Sequence, residues 1–333
     1  MTSTESMAMP TDVLLFGLGG VGGFYAVILT KAPNTRVTVC ARDNYHRVSE
    51  HGLDFRSDAL GSQDGLRFHR VVRSPQDVGD ATFTYVVCTN KAIAMSPSWS
   101  ELIAPAVSKD TTIVLIQNGV GNEEEFRARF PQNTILSGVT WVNVSRPEPG
   151  VVVHKGEESM QFGCHWNPSI NRDVQQTAMD RFVGLLTTGG SHVEVVPSID
   201  VWRWKKTIWN CTWNTLTALT LCNTAQFLGA SPAAETVARR LIAEMASIAR
   251  ALGHDVEDEY LASLIERDSV HQGIYSSMCM DAQNNRPMEV DVIVALPLRK
   301  AQELGLSTPT LETICALISA MDWRFRNGVQ PPF

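Results

Sequence analysis

Three polar side chains stand at equal spacing in "WKKTIWNCTWN" (Trp204 to Asn214): Lys206, Asn210 and Asn214. Asparagine competes for backbone hydrogen bonds and is a poor helix former. On a helix, residues at i, i+4 and i+8 lie along one face, drifting only about 40° per step at ~3.6 residues per turn. Lys205 points about 100° away from Lys206 and lacks these companions. A lysine facing a carbonyl can stabilise the negative charge that hydride addition builds on oxygen, and can donate the proton that quenches it. The asparagines add neutral donors and acceptors that orient a substrate without changing the charge. Taken alone, this helix reads equally as a surface lysine beside exposed or capping asparagines.

A second group has chemistry of a different kind. "GLGGVG" runs through Gly17, Leu18, Gly19, Gly20, Val21 and Gly22, directly after the apolar strand "DVLLF" and at the start of a helix. Gly17 permits the tight turn, Gly19 lets backbone approach a pyrophosphate, and Gly22 allows close helix–strand packing, with Ala26 extending the small face. The helix N-terminus offers N–H groups to phosphate. The pattern alone is weak; its strand–turn–helix context is what gives it weight. The next strand, "RVTVCAR", ends at Arg42, where an NAD site usually carries Asp or Glu. Arginine there suits a 2′-phosphate and points to NADP(H). Asp43 follows as a contrary sign, and a solvated surface arginine is the alternative reading.

The elements that must position these residues alternate. Strands at Asp12 to Gly17, Arg36 to Arg42, Thr82 to Lys91, "TTIVLIQNG" and "TILSGVTWVNV" are separated by helices. One helix is expected at "SPSWSELIAPAV", with Ser96 as cap and Pro97 at its first position. A hairpin is expected around "DALGSQDG", and Val151 to Phe162 alternate as antiparallel strands do. The first part is therefore an α/β domain, a Rossmann-type doubly wound parallel sheet. From Ser198 the chain reads as helices over 198–221, 232–252, 257–268, 272–284, 288–305 and 309–324, the last capped by Thr308. Two domains follow: residues 1–197 for the cofactor, and an all-helical domain of residues 198–333 for substrate and catalysis.

Composition narrows the function. With 44% apolar and 19% charged residues, the chain is expected to fold; a net charge of −7 argues against a nucleic-acid partner. The seven cysteines are odd in number and include no CxxC pair, which points to free thiols in a reducing, cytoplasmic compartment. No histidine spacing suits a metal. The start has no basic region followed by an apolar run, and no stretch is long enough to span a membrane, so neither a secretory signal nor a membrane location is expected.

Taken together, "GLGGVGG", "CTNKA", "IQNGVGNEE", "WKKTIWNCTWNTLTAL", "YSSMCMDAQNNRPMEVDVI" and "ELGLSTPTLETI" resemble the ketopantoate reductase (2-dehydropantoate 2-reductase) family over nearly the whole chain. The resemblance implies NADPH-dependent reduction of a 2-keto acid, with ketopantoate and pantoate as substrate and product, in a cleft between domains. It implies Lys206 as general acid and Asn210 and Asn214 as substrate ligands. Lys91 falls near the nicotinamide and substrate, and Asn118 at the cofactor–substrate junction. Ser277 matches a serine that contacts the substrate carboxylate. Glu289, an acid twelve residues later, binds substrate polar groups and supports catalysis. Arg42 matches the arginine for the 2′-phosphate. Homodimers are expected, with the C-terminal helices as a candidate interface.

Departures from the family pattern bear on the substrate. "LCNTAQFL" offers Asn223 or Thr224 where the family has Asn-Gly, and "HQGIYSSM" lacks a further asparagine. Trp202, Trp204, Trp209 and Trp213 are added bulk, readable as core or as pocket lining. A paralogue that reduces another ketone or imine is therefore the alternative, and an NADPH-sensing module without catalysis a more distant one.

Overall fold

The computed structural model describes residues 9–270 and 273–329. Backbone proximity groups them into two compact units. The first holds the chain up to Lys91, then Met95–Gln117 and Glu123–Ile199; the second holds Ala92–Ala94, Asn118–Asn122 and the chain from Asp200 onward.

The first unit is built on a ten-stranded sheet. Its strands are β1 (Thr11–Phe16), β2 (Thr35–Cys40), β3 (Leu53–Ser57), β4 (Gln63–Leu66), β5 (Arg70–Val72), β6 (Tyr85–Cys88), β7 (Thr112–Leu115), β8 (Ile135–Ser145), β9 (Val151–Cys164) and β10 (Val193–Val195). The order is β4-β3-β9-β8-β7-β6-β1-β2-β5, with β10 also on β9. From β5 to β8 every ladder is parallel. Strands such as "YVVC" and "TIVL" are buried at every position, as expected where both faces of a sheet are covered. The antiparallel β8–β9 and β3–β4 ladders make the whole sheet mixed. Val151 to Phe162 belong to one long strand, and the hairpin around "DALGSQDG" is β3–β4. Strand order reverses between β1 and β6, which places a topological switch point at the ends of Phe16 and Cys88.

The helices of this unit are α1 (Gly20–Lys31), α2 (Tyr45–His51), α3 (Trp99–Ile103), α4 (Asn122–Arg129, whose first residue groups with the second unit) and α5 (Arg172–Thr188). The cap of α3 is Ser98 and not Ser96. Ser98 Oγ accepts from Glu101 N, and the Glu101 carboxylate accepts from Ser98 N at 2.7 Å. This reciprocal pair satisfies two helix-end donors and sets the start three residues before Glu101. The sequence reading passed over α5; it buries only Met179, Phe182 and Leu186 as large apolar residues, a faint signal in a polar segment.

The second unit is helical: α6 (Ile199–Trp209), α7 (Thr215–Thr220), α8 (Thr224–Ala230), α9 (Pro232–Ala251), α10 (Asp258–Val270), α11 (Ser277–Gln283), α12 (Leu296–Glu303) and α13 (Pro309–Arg326). The expected helix over 272–284 begins only at Ser277, and residue 272 lies outside the described residues. Two expected α-helices contain π-helical turns, Asn210–Asn214 between α6 and α7, and Asp291–Ala295 before α12. Pro297 lacks an N–H and would press on the carbonyl four residues back; the wider turn just before it absorbs that conflict. Around Asn210–Asn214 the hydroxyls of Thr212, Thr215 and Thr217 donate to the carbonyls four residues earlier, competing with the backbone ladder.

Thr308 occupies the cap position of α13, but its buried hydroxyl bonds to nothing among the described residues. The end is capped instead by Glu244 of α9, whose carboxylate accepts from Thr310 N at 3.0 Å and Leu311 N at 2.7 Å. A charged acceptor serving two N–H groups outcompetes one neutral hydroxyl. Glu244→Ala is therefore expected to lower stability by about 1–2 kcal/mol in urea unfolding. Thr308→Val should stay within roughly 0.5 kcal/mol of the parent. The reverse ranking would contradict this capping scheme.

Candidate active site

Lys206 begins the polar line, in the last turn of α6, and is partly exposed. Its neighbour decides which of the paired lysines is structural. Lys205 is buried, with Nζ 2.5 Å from Glu257 Oε2 and lying over the rings of Trp202 and Tyr260 at 4.8 and 5.4 Å. The hydrogen bond from Lys205 holds the Glu257 carboxyl below its usual range. Lys205 thus has companions that the helix register could not reveal, because Glu257 and Tyr260 come from the chain around the start of α10.

Asn210 and Asn214 are 3% and 1% exposed. Asn210 Nδ2 and Asn214 Oδ1 are buried and find no hydrogen-bond partner among the described residues. An unmet buried polar atom costs about 1–3 kcal/mol, so two on one helix turn leave bonds that a ligand or water could supply. The π-helical turn carries both, and such turns recur at functional sites.

Glu289 is 8% exposed, just before the second π-helical turn. Its carboxylate accepts from Ala92 N at 2.9 Å and from Asn118 Nδ2 at 3.2 Å. The Asn118 carbonyl in turn accepts from Asn122 Nδ2. Glu289 and Asn118, read as separate candidates in the sequence, are therefore hydrogen-bonded to each other.

Arg203, which the sequence reading did not single out, lies one turn before Lys206. It is 3% exposed and donates from Nη1 to Gly119 O at 2.9 Å. Burial lowers the Lys206 pKa to about 8; Arg203 pushes it the same way, and Glu289 opposes both. The only sequence signal for Arg203 was its i−3 relation to Lys206.

Ser277 is the first residue of α11 and is exposed; its hydroxyl makes no hydrogen bond among the described residues. The adjacent Ser276 is buried, caps α11 by accepting from Cys279 N, and shares a 2.7 Å hydrogen bond with Thr217. Asn223 caps α8 in a reciprocal pair with Gln226, and Thr224 bonds both backbone atoms of Ile274. Both are committed to holding the fold at the place where the family pattern has asparagine. Trp213 is fully buried with Nε1 donating to Leu264 O, and Trp204 is core stacked on His254; Trp209 stays partly exposed.

In the first unit, Gly17 has φ +105°, and a Cβ there would meet Asn90 N at 2.5 Å. A Cβ on Gly22 would lie 1.9 Å from Gly17 O. Both glycines are thus required by contact, while the Cβ direction of Gly19 is open. Leu18 is buried with its carbonyl held by Asn44, and α1 starts at Gly20 and Val21 without a side-chain cap. Arg42 follows β2 and is exposed. Asp43, the contrary sign, is paired with Arg146 at 2.6 Å. Lys91 is exposed in the loop after β6. Open space at Gly19, an uncapped helix start and an exposed arginine at the end of β2 fit a phosphorylated dinucleotide.

The two charges acting on Lys206 generate a prediction. If it must be protonated to act in reduction, kcat falls as pH rises through about 8. Arg203→Met should move that limb to higher pH and Glu289→Gln to lower pH, since one removes a repelling cation and the other an attracting anion. Profiles of kcat against pH that shift together, or not at all, would refute the assignment.

Comparison with known proteins follows the same division of the chain. The model of ketopantoate reductase PanE/ApbA matches residues 13–167, and that of its C-terminal domain matches residues 198–322. A 2-dehydropantoate 2-reductase of Nostoc sp. is 26% identical over 318 residues, covering 94% of this chain and 96% of its own length. The crystal structure of 2-dehydropantoate 2-reductase from Methylococcus capsulatus has a TM-score of 0.82 at 27% identity, covering 96% and 99% of the two chains. A ternary structure of D-mandelate dehydrogenase with NADH and anilino(oxo)acetate has a TM-score of 0.83 at 20% identity, covering 95% and 99%, a likeness of fold.

Proposed function

We propose, from the premise that the chain belongs to the ketopantoate reductase family of NAD(P)(H)-dependent oxidoreductases, that it uses NADPH to reduce a 2-keto acid, with 2-dehydropantoate as substrate and pantoate as product. The observation that carries this reading is the buried pair of unmet atoms, Asn210 Nδ2 and Asn214 Oδ1, on the helix of Lys206. Asn214 Oδ1 calls for a donor, and ketopantoate has a hydroxyl to give. Asn210 Nδ2 calls for an acceptor, which a hydroxyl, carbonyl or carboxylate oxygen supplies.

Gly19, Gly20 and Val21 would hold the pyrophosphate and Arg42 the 2′-phosphate; when bound, the dihydronicotinamide supplies the hydride. The chain's own residues do the rest. Lys206 stabilises the charge that develops on the carbonyl oxygen and protonates it. Its lowered pKa makes that transfer easier near neutrality while leaving most of the amine protonated. Glu289 tethers Asn118 and attracts Lys206, and the cations Lys206 and Arg203 suit an anionic keto acid. Lys91 and Ser277 retain the roles that family likeness suggests, as ligands of cofactor or substrate and of the substrate carboxylate.

Lys206→Ala should keep NADPH binding and lower kcat by roughly 10²- to 10⁴-fold; near-parental turnover would sink the general-acid role. Arg42→Ala should raise the KM for NADPH and leave that for NADH little changed. For the substrate, trimethylpyruvate differs from ketopantoate only in lacking the hydroxyl. It should show kcat/KM roughly 10- to 100-fold lower, through the unmet Asn214 acceptor. Equal turnover of the two, or faster turnover of phenylglyoxylate, would favour the second reading, a paralogue for another carbonyl. Trp209, partly exposed next to Asn210, is what favours that reading.

The same reading places the enzyme in the cytoplasm, in keeping with seven unpaired thiols, six of them buried. Among the described residues no helix is long and apolar enough to cross a membrane. It also makes the protein a homodimer, for which exposed Leu317 and Trp323 on α13 are available. Light scattering should give twice the chain mass, and subcellular fractionation tests the compartment.

A further inference from the structure

The end of β2 carries two side chains with opposite preferences. Arg42 suits a 2′-phosphate, whereas a carboxylate at this strand end suits a ribose 2′-hydroxyl. Asp43 is that carboxylate, and with its side chain 62% exposed it is within reach of solvent and ligand. The fold sorts the two. Arg146, in the turn between β8 and β9, spans Asp43 and its neighbour, with Nη2 2.6 Å from Asp43 Oδ2 and Nη1 2.6 Å from Asn44 Oδ1. A planar fork that binds two acceptors at once fixes direction as well as distance.

Asn44 makes this arrangement part of the glycine loop. It is fully buried, its Oδ1 also accepts from Gly150 N at 3.0 Å, and its Nδ2 donates to Leu18 O at 2.5 Å. Arg146 is thereby locked to the residue that braces the loop meant for pyrophosphate. Arg42, by contrast, makes no hydrogen bond or ion pair among the described residues and is exposed. The carboxylate is occupied and the guanidinium is open.

We propose that Arg146 is a specificity-determining residue of the cofactor site: by holding Asp43 it keeps that carboxylate from the adenosine ribose and so preserves selectivity for a 2′-phosphorylated dinucleotide. This inference rests on the reading of Arg42 as the 2′-phosphate ligand. Without Arg146, Asp43 would stand as an unpaired anion beside Arg42. It would repel a 2′-phosphate and offer an acceptor to a 2′-hydroxyl, so the preference between NADPH and NADH would move toward NADH.

The test is fluorescence titration of the full chain with NADPH and with NADH, comparing the parent, R146M, D43N, R146M/D43N and R42M. R146M is expected to shift the affinity ratio toward NADH by about tenfold or more, the size of a charge-assisted contact. D43N in the same chain should restore the ratio, because the harm comes from the freed carboxylate. D43N alone should leave NADH binding unchanged, and this arm stands even if R146M fails to fold. Weaker NADH binding in D43N means that Asp43 already reaches the ribose, and overturns the proposal. So does an R146M ratio that is unchanged, or a loss for both cofactors that D43N does not restore, provided that R42M loses its NADPH preference. If R42M keeps that preference, the reading of Arg42 fails and the inference falls with it.

Discussion

The carboxylate of Glu289 is the constraint around which the helical unit is arranged. A carboxylate at this depth loses its water, and the loss is tolerated only when donors and a counter-charge replace it. Here the donors are Ala92 N and Asn118 Nδ2, and the nearby cation is Lys206. The donors belong to two short segments, Ala92–Ala94 and Asn118–Asn122, that group with the helices although the strands before and after them belong to the sheet. Arg203 reinforces the second segment through Gly119 O, and Val120 N adds a backbone bond to Val292 O. Remove the carboxylate, and each segment loses one of its hydrogen bonds to the helices.

The same carboxylate sets the electrostatics. Arg203 and Glu289 act on Lys206 in opposite directions. Lys206 is deprotonated more easily than a surface lysine because burial and Arg203 outweigh Glu289. The cofactor side relies on a different device, uncharged backbone. Gly17 and Gly22 are required by contacts with Asn90 and with each other, and Asn44 ties Leu18 to the β8–β9 turn. Charge enters there through Arg42, Asp43 and Arg146.

Local pattern made much of this legible. Continuous apolar runs marked β1, β6 and β7 because a strand covered on both faces has no polar side to show. The glycine spacing marked the loop because its turn needs particular residues at particular offsets. Lys206, Asn210 and Asn214 stood out because polar residues on a mostly apolar helix break its period. What escaped had no local signature. Helix α5 buries few large residues, and the π-helical turns come from competing threonine hydroxyls and from Pro297, which no simple period encodes. The cap at Thr308 looked right by residue type, yet Glu244 of another helix supplies the acceptor. Trp204 and Trp213, open between core and pocket lining, proved to be core.

The amino-acid sequence by itself determined the two-part architecture, the dinucleotide loop and the polar face of the lysine helix, because each depends on residues close together along the chain. Only the tertiary structure decided that Lys205 is held by Glu257, that Asp43 is held by Arg146, and that Glu289 meets Asn118. Those outcomes turn on charges brought together from distant positions. Whether a charged side chain is available to a ligand depends on which partner reaches it first, and that partner is set by packing rather than by spacing.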